Sequence, residues 1–411
     1  MLIHSISLAR SIRSYVSVKK LRRLEDLIVK GKRVLVRVDF NVPLHKGKVT
    51  DELRIASALP TIKYLIAQKA IVVLASHLGR PDGKPIEKYS LEPVAISLSE
   101  LLGREVMFLH DCVGEDITSR VNSLRPGQVA LLENLRFHPE EEANDPAFAR
   151  SLANLADVYV DDAFAVAHRA HASIVGVPKF LPHAVGKLMQ AEVETLTSLM
   201  ERPKPPFVAV IGGAKIADKI EFLRNLMKQA DTIVISGAMA NTFLAALGHN
   251  MRDSLQDKGG HKTALAILAE AKKRGVEVIL PVDVVVAKKI ASGVAARTVT
   301  VGQLEEGDRA LDIGIASTTN INIALQGVGT ILWNGTLGMT EYKEFVKASQ
   351  SLAEHMARSS ALTVIGGGDT AGFIDGIGYH DKFSFVSTGG GAALELLAGK
   401  PMPALSGMYI S

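Results

Sequence analysis

Two lysines four residues apart, Lys215 and Lys219, follow a Gly212-Gly213 pair that ends the apolar run Phe207–Ile211. A helix opening there carries both ammonium groups on one face, where like charges repel by roughly 0.2–0.5 kcal/mol unless an anion sits at the helix N-terminus. Strand, paired glycines, then lysines is how α/β proteins present a phosphate site. The alternative is a pair of solvated lysines beside Asp218 and Glu221. More glycine loops follow: Gly237 in Ser236–Thr242, Asn334 in Leu332–Gly335, Gly366, Gly367 and Gly368 in Ile365–Thr370, and Gly390 in Ser387–Ala392. Glycine permits close backbone approach, and exposed N–H groups hold phosphate oxygens, although ordinary turns also produce such clusters. Asp369, directly after the third glycine, is placed to hold Mg²⁺. Gly366–Ala371 fits the G-x-G-x-x-A dinucleotide pattern, but position 389, where a ribose-binding acid belongs, is glycine. No G-x-x-x-x-G-K-[ST] occurs, which sets P-loop ATPases aside.

The first half supplies arginines instead. Arg54 stands at a helix start, Arg80 in Ser76-His77-Leu78-Gly79-Arg80, Arg136 in Glu133-Asn134-Leu135-Arg136, and Arg169 beside His168 and His171. Arginine is always charged, and its planar fork matches phosphate or carboxylate oxygens bidentately. Several converging on one sheet edge imply a small, multiply anionic ligand, whereas each alone reads as a surface ion pair. Asp39-Phe40-Asn41 superficially matches a protein-kinase magnesium motif, but no H-R-D-x-x-x-x-N loop or V-A-I-K strand precedes it.

The elements that must position these residues are short runs rich in Val, Ile and Leu, alternating with helical patterns. Predicted strands are Arg33–Asp39, Ala70–His77, Glu105–Asp111, Val129–Arg136 and Val158–Asp162, then Phe207–Gly212, Thr232–Gly237, Glu277–Asp283, Thr330–Trp333 and Leu362–Gly366. Helices are predicted over Ile55–Gln68 and Asp145–Leu155. Apolar strands alternating with helices argue for parallel sheets covered on both faces. Leu188, Met189, Val193, Leu196, Leu199 and Met200 recur at helical spacing, so Lys187–Met200 reads as an amphipathic helix that Pro203, Pro205 and Pro206 terminate. The two sets of strands flank this helix, giving two doubly wound α/β domains joined by a hinge. The polar residues above fall at strand C-terminal ends, the ligand-binding edge of such sheets.

Bulk properties agree. The chain has 411 residues, 47% hydrophobic and 22% charged, as a soluble globular protein of two or three domains has. No uncharged apolar run approaches the roughly 18 residues of a membrane span, and one cysteine, Cys112, forbids an intrachain disulfide and suits a reducing compartment. Residues 1–24 hold Arg10, Arg13, Lys19, Lys20, Arg22 and Arg23 and no acid, which more than accounts for the net charge of +4. The remainder is slightly acidic, so no nucleic-acid partner is expected. Those residues fit an organellar transit peptide or an N-terminal extension read from an early start codon; the extension, and a cytoplasmic protein, is the reading adopted.

Taken together, RVDFNVP, SHLGRPDG, LLENLRF, DDAFAVAHRAHAS, IGGAKIADK, GAMANTF, LWNG, IGGGDT and STGGGAALELL make the chain resemble phosphoglycerate kinase, from about residue 24 to about residue 403. The resemblance implies reversible phosphoryl transfer between 1,3-bisphosphoglycerate and ADP, giving 3-phosphoglycerate and ATP with Mg²⁺, by a monomer. It implies an extension over 1–24, a substrate domain over 25–186, an interdomain helix and hinge over 187–206 and a nucleotide domain over 207–391, with about 392–411 returning to the first domain. Asp39, Phe40, Asn41, Arg54, His77, Leu78, Gly79, Arg80, Arg136 and Arg169 match substrate positions. Gly212, Lys215, Lys219, Gly237, Gly314, Asn334, Glu341, Gly367, Gly368, Asp369 and Thr370 match nucleotide positions, with Asp369 on the metal. Arg54, Lys215, Gly367 and Gly390 match the catalytic set. Thr336, Thr340 and Ile315 stand where the family has a proline, an aromatic and a proline, and Ala165-Val166 where Gly-Thr is frequent. A catalytically silent nucleotide-binding homologue is the alternative; one would be expected to have lost Arg54, Lys215 or Asp369, and all three are present.

Overall fold

The computed structural model describes residues 20–410; the basic N-terminal extension lies outside them except for its last residues. Leu21 and Leu24 are already buried, so the folded body takes in the end of the stretch grouped with the extension. The first lobe holds β1 (Arg33–Arg37), β2 (Ile71–Ala75), β3 (Val106–Leu109), β4 (Val129–Leu132), β5 (Val158–Asp161) and β6 (His183–Val185), all parallel, in the order β3-β4-β2-β1-β5-β6. The second lobe repeats the plan with β7 (Phe207–Ile211), β8 (Thr232–Ile235), β9 (Glu277–Ile279), β13 (Thr330–Asn334), β14 (Leu362–Gly366) and β15 (Phe385–Val386), ordered β9-β8-β7-β13-β14-β15. Both sheets are six-stranded. Every residue of β2, β7 and β13 is buried, as a strand covered by helices on both faces requires.

Parts of the sheets differ from the sequence expectation. The predicted run Val129–Arg136 is a strand only to Leu132, and Arg136 stands in the 3₁₀ turn Leu135–Phe137 beyond it. The predicted run Glu277–Asp283 splits: β9 stops at Ile279, and Asp283 begins β10 (Asp283–Ala287), which pairs antiparallel with β11 (Arg297–Thr300) and β12 (Arg309–Ile313). Asp283 thus opens a strand, and its carboxylate is satisfied locally, accepting from the backbone N–H of Ser317 at 2.8 Å and of Ala316 at 3.1 Å. The short strands β6 and β15, which carry too little pattern to be read, complete the two sheet edges.

The helix α1 (Leu53–Ala67) covers the first sheet, and α2 (Lys187–Glu201) runs between the lobes. α2 buries Met189, Val193, Leu196 and Leu199, each worth roughly 1.5–3 kcal/mol of apolar burial. Its core is continuous with Tyr159 of the first lobe and Ile211 and Leu332 of the second. The helix is also held by polar groups. Met189 N–H donates to Asp162 Oδ1 at 3.1 Å and Lys187 N–H to Thr61 Oγ1 at 2.8 Å, tying its first turn to the first lobe. The C-terminal residues pack on that lobe too: Leu21 bridges Tyr409, and Ala404 N–H donates to the Ala167 carbonyl at 3.1 Å. Among the described residues no helix is long and apolar enough to cross a membrane.

Candidate active site

The chain leaves β1, β2, β4 and β5 at one edge of the first sheet, and their loops converge on a cavity of about 230 Å³. Asp39, Asn41, Arg54, His77, Gly79, Arg80, Arg136 and Arg169 all line it, joined by Ala165, Val166 and the Gly389–Gly391 backbone. Phe40 and Leu78 do not; their side chains are buried in the core below, so they fix the loops rather than face the cavity. The Phe40 N–H donates to Ser76 Oγ at 2.8 Å, and the Gly79 N–H to Asn41 Oδ1 at 2.9 Å. Gly79 has φ +62°, and a Cβ there would meet the Tyr89 ring at 2.3 Å.

The cavity is strongly cationic and mostly pre-set. Arg136 is 4% exposed; its Nη1 donates to the Gly79 carbonyl at 2.8 Å, its Nε lies 3.0 Å from Glu142, and its Nη2 has no hydrogen-bond partner among the described residues. Burial lowers the pKa of this guanidinium, an arrangement that an incoming anion relieves. Arg54 is ion-paired with Asp39 through Nη1 and Oδ2. His77 is buried, 3.8 Å from Asp39 Oδ1, and burial followed by the nearby Arg37 holds its pKa well below 6.5. It is neutral at pH 7, so it can direct hydrogen bonds without adding charge. His171 is likewise pushed down to about 3, first by burial and then by Arg136. His168 and His171 take no part in any three-ligand metal cluster among the described residues.

Arg37 is the residue that sequence reading passed over. It is wholly buried, with Nε donating to Ser173 Oγ at 2.9 Å and Nη2 lying 3.3 Å from His77 Nδ1. Ser173 Oγ in turn donates to the buried Glu141 at 2.6 Å. A charged residue inside the otherwise apolar run Val34–Val38 was the available signal.

The second sheet opens onto a larger cavity of about 580 Å³, and Gly237, Glu341 and Asp369 line it with Gly213, Ala214 and Thr336. Asp369 lies in the first turn of the helix Gly368–Gly376, and Gly367 caps that helix at φ +93°. Gly212, Asn334, Gly367, Gly368 and Thr370 do not line this cavity. Gly212 N–H donates to the Asn334 carbonyl at 2.9 Å, and Gly335 N–H to Thr370 Oγ1 at 2.8 Å. A Cβ on Gly212 would lie 2.2 Å from the Thr336 carbonyl oxygen. Gly314 is not in the wall; its Cα backs onto the Asp283 carboxylate, and Leu311, Asp312 and Ile313 take the cavity-lining place. Asp312 is pushed up to about 7 by burial.

The lysines depart from the helical expectation. Residues 217–219 make a 3₁₀ turn, and the α-helix runs only from Ile220 to Leu226, so Lys215 and Lys219 do not share its face. Lys219 Nζ instead turns back to the Gly212 carbonyl and to Asn334 Oδ1, the latter at 2.7 Å. Burial pushes Lys219 down to about 8. Lys215 is exposed in the preceding loop, lines neither cavity and makes no hydrogen bond or ion pair among the described residues.

Between the cavities lies Glu192 of α2, wholly buried. It accepts from Ser387 Oγ at 2.7 Å and Thr388 N–H at 2.7 Å, and so joins the helix to the loop that carries Gly389–Gly391 into the first cavity. Burial pushes its carboxyl up from 4.5 to about 7. A raised carboxylate favours the protonated folded state, so its stabilisation is complete below pH 4.5 and is lost as pH rises through about 7. Glu192→Gln keeps the acceptor oxygen and removes the titration. The variant is therefore expected to gain Tm relative to the parent protein as pH rises from 5 to 8; parallel melting curves across that range would show that Glu192 does not titrate there.

Two parallel-sheet lobes, each with a cavity at its strand ends and joined by one connecting helix, are the architecture of a two-lobed α/β phosphotransferase. The chain belongs to the phosphoglycerate kinase family, whose family model, described as phosphoglycerate kinase, matches residues 24–400. It is 50% identical over 382 residues to the phosphoglycerate kinase of Pelotomaculum thermopropionicum, covering 93% of this chain and 97% of the relative. It is 49% identical over 380 residues to that of Moorella thermoacetica, covering 92% and 97%. The solved structure of phosphoglycerate kinase from Coxiella burnetii matches with a TM-score of 0.85 at 38% identity, over 94% of this chain and 98% of that one. That from Pyrococcus horikoshii matches with a TM-score of 0.84 at 32% identity, over 94% and 98%.

Proposed function

We propose that the protein catalyses Mg²⁺-dependent, reversible phosphoryl transfer between 1,3-bisphosphoglycerate and ADP, giving 3-phosphoglycerate and ATP. The observation that carries this is the convergence of Arg54, Arg80, Arg136 and Arg169 with Asp39, Asn41 and His77 on one small cavity. Its excess of fixed positive charge suits a ligand with a phosphate at one end and a carboxyl at the other. In this reading Asp39 and Asn41 orient the glycerate hydroxyl and carboxyl end. His77, Arg80, Arg136 and Arg169 grip the distal phosphate. Gly237, Glu341 and the 311–313 wall take the nucleoside, and Lys219 with the Gly367–Thr370 loop takes its phosphates.

The reacting oxygens are a carboxylate in one direction and a phosphate in the other. Both are ionised, so no general base is needed, and the neutral, buried His77 is not placed as one. Rate enhancement comes from alignment and from charge around a metaphosphate-like transition state. Arg54 from the first lobe and Lys215 from the second supply that charge when the lobes close, and Gly367 and Gly390 offer backbone N–H groups. Closure also excludes water, the competing acceptor. Mg²⁺ fits the second cavity because Asp369 offers a hard oxygen donor beside a glycine loop, and substrate phosphates and water complete such a shell. Bound there, the ion neutralises nucleotide phosphate charge.

The reading is of a monomer, as the family resemblance implies, and a single thiol suits the cytoplasm. A coupled NADH assay with 3-phosphoglycerate and ATP is expected to show turnover that chelation abolishes and Mg²⁺ restores. Nucleotide binding without turnover would favour the silent homologue.

A further inference from the structure

Strands β3 and β4 pair in parallel with Leu109 opposite Leu132, so the segments that leave them are neighbours. Past β3 come Asp111 and Cys112; past β4, beyond the 3₁₀ turn Leu135–Phe137, comes His138. The Glu133 N–H donates to the Asp111 carbonyl at 3.4 Å and keeps the two segments together. One carboxylate oxygen, one sulfur and one ring nitrogen of Asp111, Cys112 and His138 all lie within 4.8 Å of one another. His138 Nε2 is 2.7 Å from Asp111 Oδ1, which also accepts from the Cys112 N–H at 2.6 Å. The imidazole is steadied by stacking on the Phe148 ring, with 5.2 Å between centroids. Cys112 is wholly buried, His138 half-buried and Asp111 exposed, so the group runs from the interior out to solvent. None of the three lines either cavity.

We propose that Asp111, Cys112 and His138 form a binding site for a zinc-class divalent cation, separate from the Mg²⁺ assigned to Asp369. A buried cysteine by itself is ordinary core packing. Here its sulfur stands within reach of two further ligands at the surface. Thiolate, imidazole and carboxylate are the donor types that Zn²⁺ takes, in a tetrahedron whose fourth place water fills. Donors so arranged stand roughly 3.3–3.8 Å apart. The His138–Asp111 contact therefore lengthens as the ion enters, a movement open to the exposed Asp111 side chain. Mg²⁺ is a poor fit, because it demands an octahedral shell of oxygens and meets one carboxylate here. The charge suits a dication. Burial, followed by the carboxylates of Asp111 and Glu141, raises the Cys112 thiol well above its usual pKa, so the sulfur is protonated at neutral pH. On binding, the S–H bond breaks, the proton passes to solvent and a sulfur–metal bond forms; thiolate and Asp111 carboxylate then balance the two positive charges. Glu133 and Glu141 are engaged by Ser90 and Ser173, and they add negative field without ligating.

Titration of the intact, untagged chain with Co²⁺ in the absence of nucleotide, followed by optical absorption and then by displacement with Zn²⁺, tests this. The expected result is a single tetrahedral Co²⁺ with a near-ultraviolet thiolate-to-cobalt band, which stoichiometric Zn²⁺ bleaches. Cys112→Ser is expected to lose the band. Cys112→Ser and His138→Gln are each expected to bind Zn²⁺ roughly a hundredfold more weakly, the contribution of one ligand to such a site. His138→Gln changes a half-buried residue, so it keeps the comparison open if the buried substitution unfolds the chain. Absence of the thiolate band in the parent protein, or a Zn²⁺ affinity unmoved in His138→Gln, overturns the inference. Neither result bears on the phosphoryl-transfer reading.

Discussion

Arg54→Ala and Lys215→Ala are each expected to lower kcat by roughly 10²–10⁴, the scale for a lost transition-state donor. The two residues start from different states. Arg54 is already inside the first cavity and ion-paired with Asp39, so its loss also frees a carboxylate that is 6% exposed. Arg54→Ala should therefore raise KM for 3-phosphoglycerate as well as lower kcat, because an unpaired Asp39 repels the substrate's carboxylate. Lys215 is exposed and makes no contact among the described residues, so it contributes nothing to ground-state structure. Lys215→Ala should lower kcat with KM and Tm close to those of the parent protein, the pattern of an interaction made only in the transition state. Steady-state kinetics in the ATP-forming direction separate the two. Near-parental turnover in either variant removes that residue from the chemistry.

Gly212→Ala is expected to cost about 1–3 kcal/mol of stability, as overpacking does, and to weaken nucleotide binding by more than tenfold. The added Cβ would stand 2.2 Å from the Thr336 carbonyl oxygen and 2.6 Å from that of Gly335, and both are backbone atoms that no rotamer change can move. The loops after β7 and β13 must separate, which breaks the bond from Gly212 N–H to the Asn334 carbonyl and displaces the carbonyl that Lys219 Nζ contacts. The first cavity is remote from this clash, so affinity for 3-phosphoglycerate should be retained. Thermal unfolding and separate titrations of the two ligands measure both halves. A parental Tm with parental ADP affinity would mean the loops absorb a methyl group without consequence.

What the sequence made legible follows from where each signal resides. Strands β2 and β7 are runs of apolar residues buried on both faces, β1 holds such a run between Arg33 and Arg37, and such runs announce themselves. Their predicted ends ran one or two residues long, as at Asp39 and His77, because the chain leaves the sheet where the site begins. The arginines were readable as a group because strand ends are few and polar residues there stand out. Lys219 was misplaced on a helix because i, i+4 spacing cannot show that the Gly212 carbonyl and Asn334, 115 residues away, draw the ammonium inward. Glu192 sits within a correctly predicted helix, yet its burial depends on Ser387, 195 residues further on.

The central claim is that two charged groups on separate lobes meet across one migrating phosphoryl group. The most direct measurement is a structure of the protein with 3-phosphoglycerate, Mg·ADP and a planar fluoride mimic of that group. The account predicts the mimic held between the two cavities, with an Arg54 nitrogen and Lys215 Nζ both within about 3.2 Å of it. A complex in which the mimic is bound and turnover-competent while either side chain stays out of reach in solvent would contradict it.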